Sequence, residues 1–298
     1  MIDKTEEFAS IHLGKKSLGS ETYDNTLLVA IPRSENRKQY NIQDDNLPFY
    51  GFDIWHAYEF STLTEFGIPI TRVLKLKYNC NSKYLVESKS LKLYLNSFNM
   101  SRFGKTPSEA LDICKILIEK DLSQKLETEV NVNFLDNNSN KVQILKQFKN
   151  IMNEVNEQIL QIKSFNEAPE VLEINEAECK EYYLTFDSLR SNCRVTHQPD
   201  FGDVFIYYKS KKHITETSLI KYLCSFRNEF HFHEECVEMI FKRIQDLLNS
   251  EDELFICALY TRRGGIDISP IRRNKNYKGN LEEKLIDITS YARYGIKQ

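Results

Sequence analysis

One order of secondary-structure elements occurs twice along this chain, and that repetition constrains the fold more than any single motif. In the first copy, TRVLKLKYNC (71–80) and KYLVE (83–87) are predicted as a pair of strands, since alternating and β-branched residues dominate both. Two helices follow, SKSLKLYLNSF (88–98) and one that begins at Thr106, before LETEVNVNFL (126–135) alternates as a strand. This order is typical of an antiparallel sheet backed by two helices.

The second copy repeats the order. Its predicted helices are TSLIKYLCSF (217–226) and HEECVEMIFKRIQDLLN (233–249), and the second carries one continuous apolar stripe. A turn at Pro199–Gly202 is predicted to join its first two strands. Its predicted strands are SNCRVTHQ (191–198), VFIYYKS (204–210), ELFICALYT (253–261) and GIDISPI (265–271). We therefore predict an α+β chain of two structurally duplicated modules.

Local signals refine these boundaries. Thr106 is predicted as a helix N-cap, with Pro107 in the first turn and Glu109 closing a capping box. The predicted boundaries are 1–136 for the first module, 137–180 for a connecting segment and 181–298 for the second module. Within the connecting segment one helix is suggested by the spacing of Leu145, Phe148, Met152, Val155 and Ile159.

Composition excludes several classes of protein. A net charge of −3 gives no basic field that would attract nucleic acid or an anionic membrane. No apolar run approaches the roughly 20 residues of a spanning helix, and the polar N-terminus carries no signal-peptide pattern. The seven cysteines are scattered and form no CxxC pair. These features predict a cytoplasmic protein without a disulfide framework.

Cys193 and Asp200 form the first candidate site. On one extended strand, residues seven apart lie on opposite faces and roughly 23 Å from each other. They converge only if the chain bends between them, and the segment from His197 to Asp200 contains a proline that favours a bend. The alternative is an ordinary buried cysteine before an ordinary turn aspartate, and the spacing alone leaves both open.

A second candidate lies in NEFHFHEEC, residues 228–236. Phe232, His233 and Glu234 are predicted at a helix N-terminus, where free backbone N–H groups can hold a ligand. The alternative is a metal site, although the spacing matches no standard zinc signature. Its ligands would come from His231, His233 and Cys236, together with Cys193 or His197.

Two further charged segments are candidates for binding. Glu87 ends a predicted strand, where its carboxylate could accept two parallel hydrogen bonds from a purine-like edge. The alternative is a solvated charge pair with Lys89 at a helix start. Arg262 and Arg263 precede two glycines and could grip a phosphate, or simply face water. No GxGxxG fingerprint is present.

Six phrases, in order along the chain, resemble the long two-module form of the 7-cyano-7-deazaguanine reductase family, the nitrile reductases of queuosine biosynthesis and thus of tRNA modification. The ESKS-type motif beside the SNC…HQPD phrase is close to diagnostic. The phrases are PRSENR (32–37), DNLPFYGFDIW (45–55), ESKSLKLYLNSFN (87–99), SNCRVTHQPDFG (191–202), FHEEC (232–236) and YTRRGG (260–265).

The resemblance implies a fold and a reaction. The fold would be two tandem tunnelling-fold (T-fold) modules, each an antiparallel sheet backed by a helix pair, assembled as a homodimer. The reaction would reduce the nitrile of 7-cyano-7-deazaguanine to 7-aminomethyl-7-deazaguanine with two NADPH. Covalent attack by a cysteine divides such a reduction into easier steps.

The resemblance also assigns roles to residues. Cys193 would form the thioimide and Asp200 would act as proton donor, relaying the thiol proton to the nitrile nitrogen. No metal is implied. The base would be held by Val86, Glu87, Ser88, Phe232, His233 and Glu234, with Phe232 stacking on it. The NADPH contacts would come from Ser88, Lys89, Arg262, Arg263 and Gly264.

Two other functions remain open at this point. One is a zinc-dependent hydrolase of purines or pterins with the same fold, in which Cys193 and nearby histidines are ligands. The other is a non-catalytic binding module that keeps the pocket without the activity.

Overall fold

The computed structural model describes residues 20, 22–136, 138–142, 144–155 and 160–292. Its helices are α1 (Ser34–Gln39), α2 (Ser88–Asn96), α3 (Pro107–Leu126), α4 (Glu216–Cys224), α5 (His233–Leu247) and α6 (Leu281–Ile286). Its strands are β1 (Ala30–Pro32), β2 (Tyr50–Leu63), β3 (Pro69–Asn79), β4 (Tyr84–Val86), β5 (Val130–Leu135), β6 (Asn140–Val142), β7 (Lys149–Asn150), β8 (Ile174–Asn192), β9 (Pro199–Ile214), β10 (Glu253–Tyr260), β11 (Ile266–Arg273) and β12 (Ser290–Ala292).

One sheet of eight strands joins the two halves of the chain, in the order β5-β3-β2-β11-β10-β9-β8-β7. Neighbouring strands are antiparallel except β7 and β8. The halves meet where β2 pairs with β11, from Tyr50 opposite Arg273 to Ala57 opposite Ile266. The predicted α+β class with large antiparallel sheets is confirmed, and the division into tandem T-fold modules stays a prediction.

Two pairs of helices, α2 with α3 and α4 with α5, cover one face of this sheet. Leu91 of α2 and Ile118 of α3 pack in one cluster with strand residues of the first half. Helices α4 and α5 pack in a second cluster against β8, β9 and β10. On β10, Ile256 faces this second cluster, whereas Cys257 packs on the opposite face with Leu281 of α6. Burial on both faces explains why β10 is a continuous apolar run.

The predicted pairing of 71–80 with 83–87 is wrong. Strand β3 lies between β2 and β5, while β4 leaves the sheet and pairs with β1, placing Val86 opposite Ala30. The long strand β2 was not predicted. It has a register shift between Ala57 and Phe60, and its central residues are buried on both faces, so it lacks a simple alternation.

The predicted strand SNCRVTHQ is also wrong, because β8 ends at Asn192 and the chain turns immediately afterwards. Strand β9 begins at Pro199, so the turn lies before the predicted position of Pro199–Gly202 rather than within it. Proline is well tolerated at the first residue of a strand, since it lacks the N–H that the ladder uses.

The helix suggested within 137–180 is wrong for its described residues. Short 3-10 turns at Ile144–Gln147 and Ile151–Glu154 flank β7, and Ile159 lies outside the described residues. Strand β8 begins at Ile174, inside the predicted connecting segment. Phe148 is buried, and Met152 and Val155 pack against the second cluster, which accounts for part of the helix-like spacing.

The start of α3 is confirmed, with one change in its cap. The Glu109 N–H donates to the Thr106 hydroxyl at 3.2 Å. The Glu109 carboxylate accepts from the Lys105 N–H at 2.8 Å, not from Thr106 as a capping box requires. In the described part of the chain, none of the helices is both long and apolar enough to span a membrane.

Candidate active site

The turn between β8 and β9 carries Cys193. Its N–H donates to the Gln198 carbonyl at 2.8 Å, and the His197 N–H donates to the Cys193 carbonyl at 2.9 Å. His197 has a left-handed φ of 55°, which lets the chain reverse within four residues. Cys193 is partly exposed at the end of the sheet. The reversal returns Asp200 beside Ser191, so the seven-residue spacing converges.

Asp200 is buried between Arg263 and His233. Its Oδ1 accepts from Nη1 of Arg263 at 2.6 Å, and its Oδ2 lies 3.4 Å from Nε2 of His233. Burial alone would raise the pKa of Asp200, but His233 and Arg263 together hold that pKa below its ordinary value. Asp200 is therefore an ionised carboxylate at neutral pH, able to accept a proton beside the thiol.

The N-terminus of α5 brings two unpartnered polar atoms into the same cleft. Glu234 is 2% exposed, and no donor among the described residues reaches its Oε1; the Nδ1 of His233 likewise has no partner there. Burial and the nearby Asp53 carboxylate raise the pKa of Glu234 to about 8. A buried polar atom without a partner is costly, so these two atoms are matched to a polar ligand.

The predicted substrate residues are distributed over both walls of this cleft. Phe232 lines it directly before α5, and Val86 and Ser88 line it at the end of β4 and the start of α2. Glu87 differs, since its carboxylate caps α2 by accepting the N–H groups of Lys89 at 2.8 Å and Ser90 at 2.6 Å. In this conformation Glu234, not Glu87, offers a carboxyl oxygen without a partner among the described residues.

Three of the predicted cofactor residues, Arg262, Arg263 and Gly264, lie on the turn between β10 and β11, whereas Ser88 and Lys89 lie at the start of α2. Gly264 has φ 57°, and a Cβ there would lie 3.3 Å from Nζ of Lys92. Arg262 is exposed, with its guanidinium 4.3 Å from the centre of the Tyr58 ring. The groove beside this turn is lined by Gly264, Gly265 and Lys92, whose Nζ lies 3.3 Å from a Glu59 carboxylate oxygen, and Ile266 joins the groove to the cleft. Arg263 instead turns toward Asp200.

Sequence reasoning missed the residues behind the cleft. Arg272 contacts Asp53 and Glu238, each at 2.8 Å, and Arg33 also pairs with Asp53. Arg37 bonds Glu238 from α1. The sequence did contain a signal for these residues. Asp53 lies in the apolar stretch FDIW and Arg272 in ISPIRR, and a buried charge needs a partner of opposite charge.

Two histidines that the sequence left open have different partners. His233 stacks on Tyr260, with 3.9 Å between ring centroids and 4° between planes, and so reaches Asp200. His231 is hydrogen-bonded through Nδ1 to the Tyr40 hydroxyl at 3.0 Å. No group of three or more His, Cys, Asp or Glu side chains placed to hold a metal ion occurs among the residues that the structure describes.

Chemically, the cleft combines a reachable thiol, an ionised carboxylate and a buried carboxyl group that lacks a partner. The first two suit nucleophilic attack with proton transfer. The third suits recognition of a base edge with adjacent N–H donors.

Comparison with known proteins agrees with this geometry. A family model described as nitrile reductase, 7-cyano-7-deazaguanine-reductase N-term, matches residues 20–134, and one described as QueF-like protein matches residues 199–279. The NADPH-dependent 7-cyano-7-deazaguanine reductase of Colwellia psychrerythraea is 40% identical over 271 residues, covering 89% of this chain and 92% of that protein. The chain therefore belongs to the 7-cyano-7-deazaguanine reductase family.

Proposed function

We propose that this protein reduces the nitrile of 7-cyano-7-deazaguanine to the aminomethyl group with two NADPH, as an enzyme of queuosine biosynthesis. One observation carries the proposal: Cys193, Asp200, His233 and Glu234 line a single cleft, although they come from two separate segments. Family membership supports the same reaction, since the Colwellia relative is named for it.

Recognition of the base rests on the N-terminus of α5. The free Oε1 of the Glu234 carboxyl group accepts a hydrogen bond from an N–H group of the deazaguanine, and His233 Nδ1 offers another acceptor. Phe232 stacks on the ring, while Val86 and Ser88 close the opposite wall. Glu87 holds the start of α2, which places Ser88 in the cleft.

Cys193 and Asp200 carry the covalent step. The Sγ of Cys193 adds to the nitrile carbon, forming a C–S bond while one π bond of the nitrile breaks. Asp200 takes the thiol proton and passes it to the nitrile nitrogen, which yields a thioimide. A thioimide accepts hydride more readily than a nitrile, and NADPH, when bound, supplies the two hydrides. Cys193 leaves as the thiolate between the two reductions.

The cofactor is assigned to the groove beside the cleft. Gly264 lines this groove, Ser88 lines the neighbouring cleft, and Lys89 follows Ser88 at the start of α2. Arg262 supplies an exposed positive charge suited to the 2′-phosphate. Arg263, also in the predicted set, bonds Asp200 instead. We further propose that the protein works in the cytoplasm as a homodimer, as the family resemblance implies.

The test is a spectrophotometric assay of NADPH consumption with the cyano base, accompanied by measurement of zinc content. We expect two NADPH consumed per base and no stoichiometric zinc. Stoichiometric zinc without NADPH consumption would instead support the hydrolase alternative. Absence of turnover together with tight binding of the base would support a binding module.

A further inference from the structure

Arg263 is held in place by the turn between β10 and β11. Its N–H donates to the Ile266 carbonyl at 2.8 Å, and the Ile266 N–H donates back at 3.1 Å. The two residues between them are Gly264 and Gly265, with φ of 57° and 81°. Such a tight turn requires positive φ at both central residues, which glycine adopts without strain. The backbone of Arg263 is thus fixed relative to the sheet.

The side chain of Arg263 reaches across to the turn that carries the nucleophile. Its Nη2 donates to the Thr196 hydroxyl and to the Gln198 side-chain oxygen, both at 3.0 Å. Its Nη1 donates to Asp200 at 2.6 Å, and Arg263 lines the same cleft as Cys193, close enough for an electrostatic interaction with its thiol. One cation therefore touches the turn and the proposed base, and lies near the proposed nucleophile.

We propose that Arg263 is a residue of the covalent step, which positions Asp200 and the nucleophile turn, and is not the reader of the cofactor's 2′-phosphate. This inference rests on the proposed function. Its terminal nitrogens are committed to Asp200, Thr196 and Gln198, and Asp200 neutralises its charge. A phosphate that captured this side chain would have to break these contacts and leave a buried carboxylate with one cationic partner fewer.

The charge of Arg263 also matters for proton transfer. The titratable groups facing Asp200 come from three elements besides its own. These are Cys193 on the nucleophile turn, His233, Glu234 and Cys236 on α5, and Tyr260 with Arg263 at the end of β10. Arg263 is the permanent cation in this set, and His233 is the other side chain that contacts Asp200. Without Arg263, Asp200 retains its proton to higher pH, so it is unable to accept the thiol proton over a wider acidic range, and it also loses the contact that positions it.

The test measures adduct formation between the enzyme and the cyano base without NADPH, by intact-protein mass spectrometry over a range of pH. We expect Arg263→Gln, which keeps hydrogen-bond donors but loses the charge, to slow adduct formation at least tenfold. The acidic limb of the pH–rate profile for adduct formation should shift to higher pH by about one unit or more, because a close opposite charge typically shifts the pKa of a carboxyl group by that amount. Arg263→Lys should restore part of the rate.

Two further measurements separate this role from others. The ratio of KM for NADPH to KM for NADH should remain that of wild type in Arg263→Lys, and thermal unfolding of both variants should match the surface control Arg102→Ala. Wild-type adduct formation and pH profile in Arg263→Gln, with a selectively raised KM for NADPH, would overturn the proposal. Absence of the adduct in wild type would instead remove the proposed covalent mechanism itself.

Discussion

The imidazole of His233 lies parallel to the phenol ring of Tyr260, 3.9 Å away, and this contact aims His233 Nε2 at Asp200. Tyr260→Leu removes the ring, whereas Tyr260→Phe keeps it. Aromatic pairs are worth about 0.5–1.5 kcal/mol, so we expect Tyr260→Leu to lower kcat by roughly 2- to 10-fold. Tyr260→Phe should stay closer to wild type in the NADPH assay. Equal losses in both variants would show that the hydroxyl matters, not the stacking.

Replacing Asp200 by Asn keeps the size of the side chain, but it removes the proton acceptor and turns one of the two accepting oxygens into an NH2 donor. General acid–base groups typically contribute 10²–10⁴-fold, so we expect kcat to fall by about 10²-fold or more. Affinity for the base should change little, since the free acceptors that face it belong to His233 and Glu234. Cys193→Ser is the matched control that abolishes the adduct outright. An Asp200→Asn enzyme with normal turnover would contradict the proton relay.

Glu234 should make the free protein less stable as pH rises. Its folded pKa of about 8 exceeds the unfolded value near 4.3. Between these values the folded protein retains a proton that the unfolded chain has released, so the free energy of unfolding falls with increasing pH. Glu234→Gln has no carboxyl group to titrate at this position. We therefore expect its free energy of unfolding to fall less between pH 5 and pH 7 than that of the wild type.

The same substitution should weaken binding of the base by about 10- to 100-fold, since an unpaired buried partner costs about 1–3 kcal/mol. Urea unfolding at both pH values and calorimetric titration of the base check the two effects. Glu283→Gln, an exposed change on α6, serves as the control. If Glu234→Gln were less stable than the wild type and bound the base with normal affinity, Glu234 would not be part of the binding site.

Local signals in the sequence predicted what is locally determined. Helices α3 and α5 follow from apolar spacing and cap residues, which depend on neighbours three or four positions away. The partners of a strand cannot be predicted from such local patterns. The pairing of β2 with β11 joins residues more than 200 positions apart, as between His56 and Asp267, and no pattern within either strand specifies it. The partner of β4 was mistaken for the same reason.

The candidate site shows a similar division. The residue types were recognised, but the use of each carboxylate depends on conformation. Glu87 and Glu234 both lie at helix starts. The carboxylate oxygens of Glu87 accept hydrogen bonds from N–H groups of α2, whereas Oε1 of Glu234 has no partner among the described residues. Arg262 and Arg263 are neighbours in sequence, yet one lies over Tyr58 and the other bonds Asp200. Only the three-dimensional arrangement separates them.

Arg262 should contribute selectively to binding of the phosphorylated cofactor. Arg262→Ala removes an exposed cation whose described partner is an aromatic ring, so the fold should tolerate the change. We expect KM for NADPH to rise more than KM for NADH, because only the first cofactor carries the 2′-phosphate. Arg102→Ala, which removes a charge at the exposed turn after β2, controls for net charge. Parallel increases for both cofactors would withdraw the assignment.

Gly51 should be essential for joining the two halves of the sheet. It has φ 154°, and a Cβ at this position would lie 1.9 Å from the Ile271 carbonyl oxygen on β11. Gly51→Ala must therefore push β2 away from β11 or distort the backbone, and we expect a loss of about 3 kcal/mol or more in the free energy of unfolding. Gly67→Ala is the matched control, because its Cβ would meet only the end of the flexible Arg102 side chain, at 3.4 Å. Denaturant unfolding of both variants measures the difference. Similar losses would mean that the close approach of β2 and β11 is not what requires glycine at position 51.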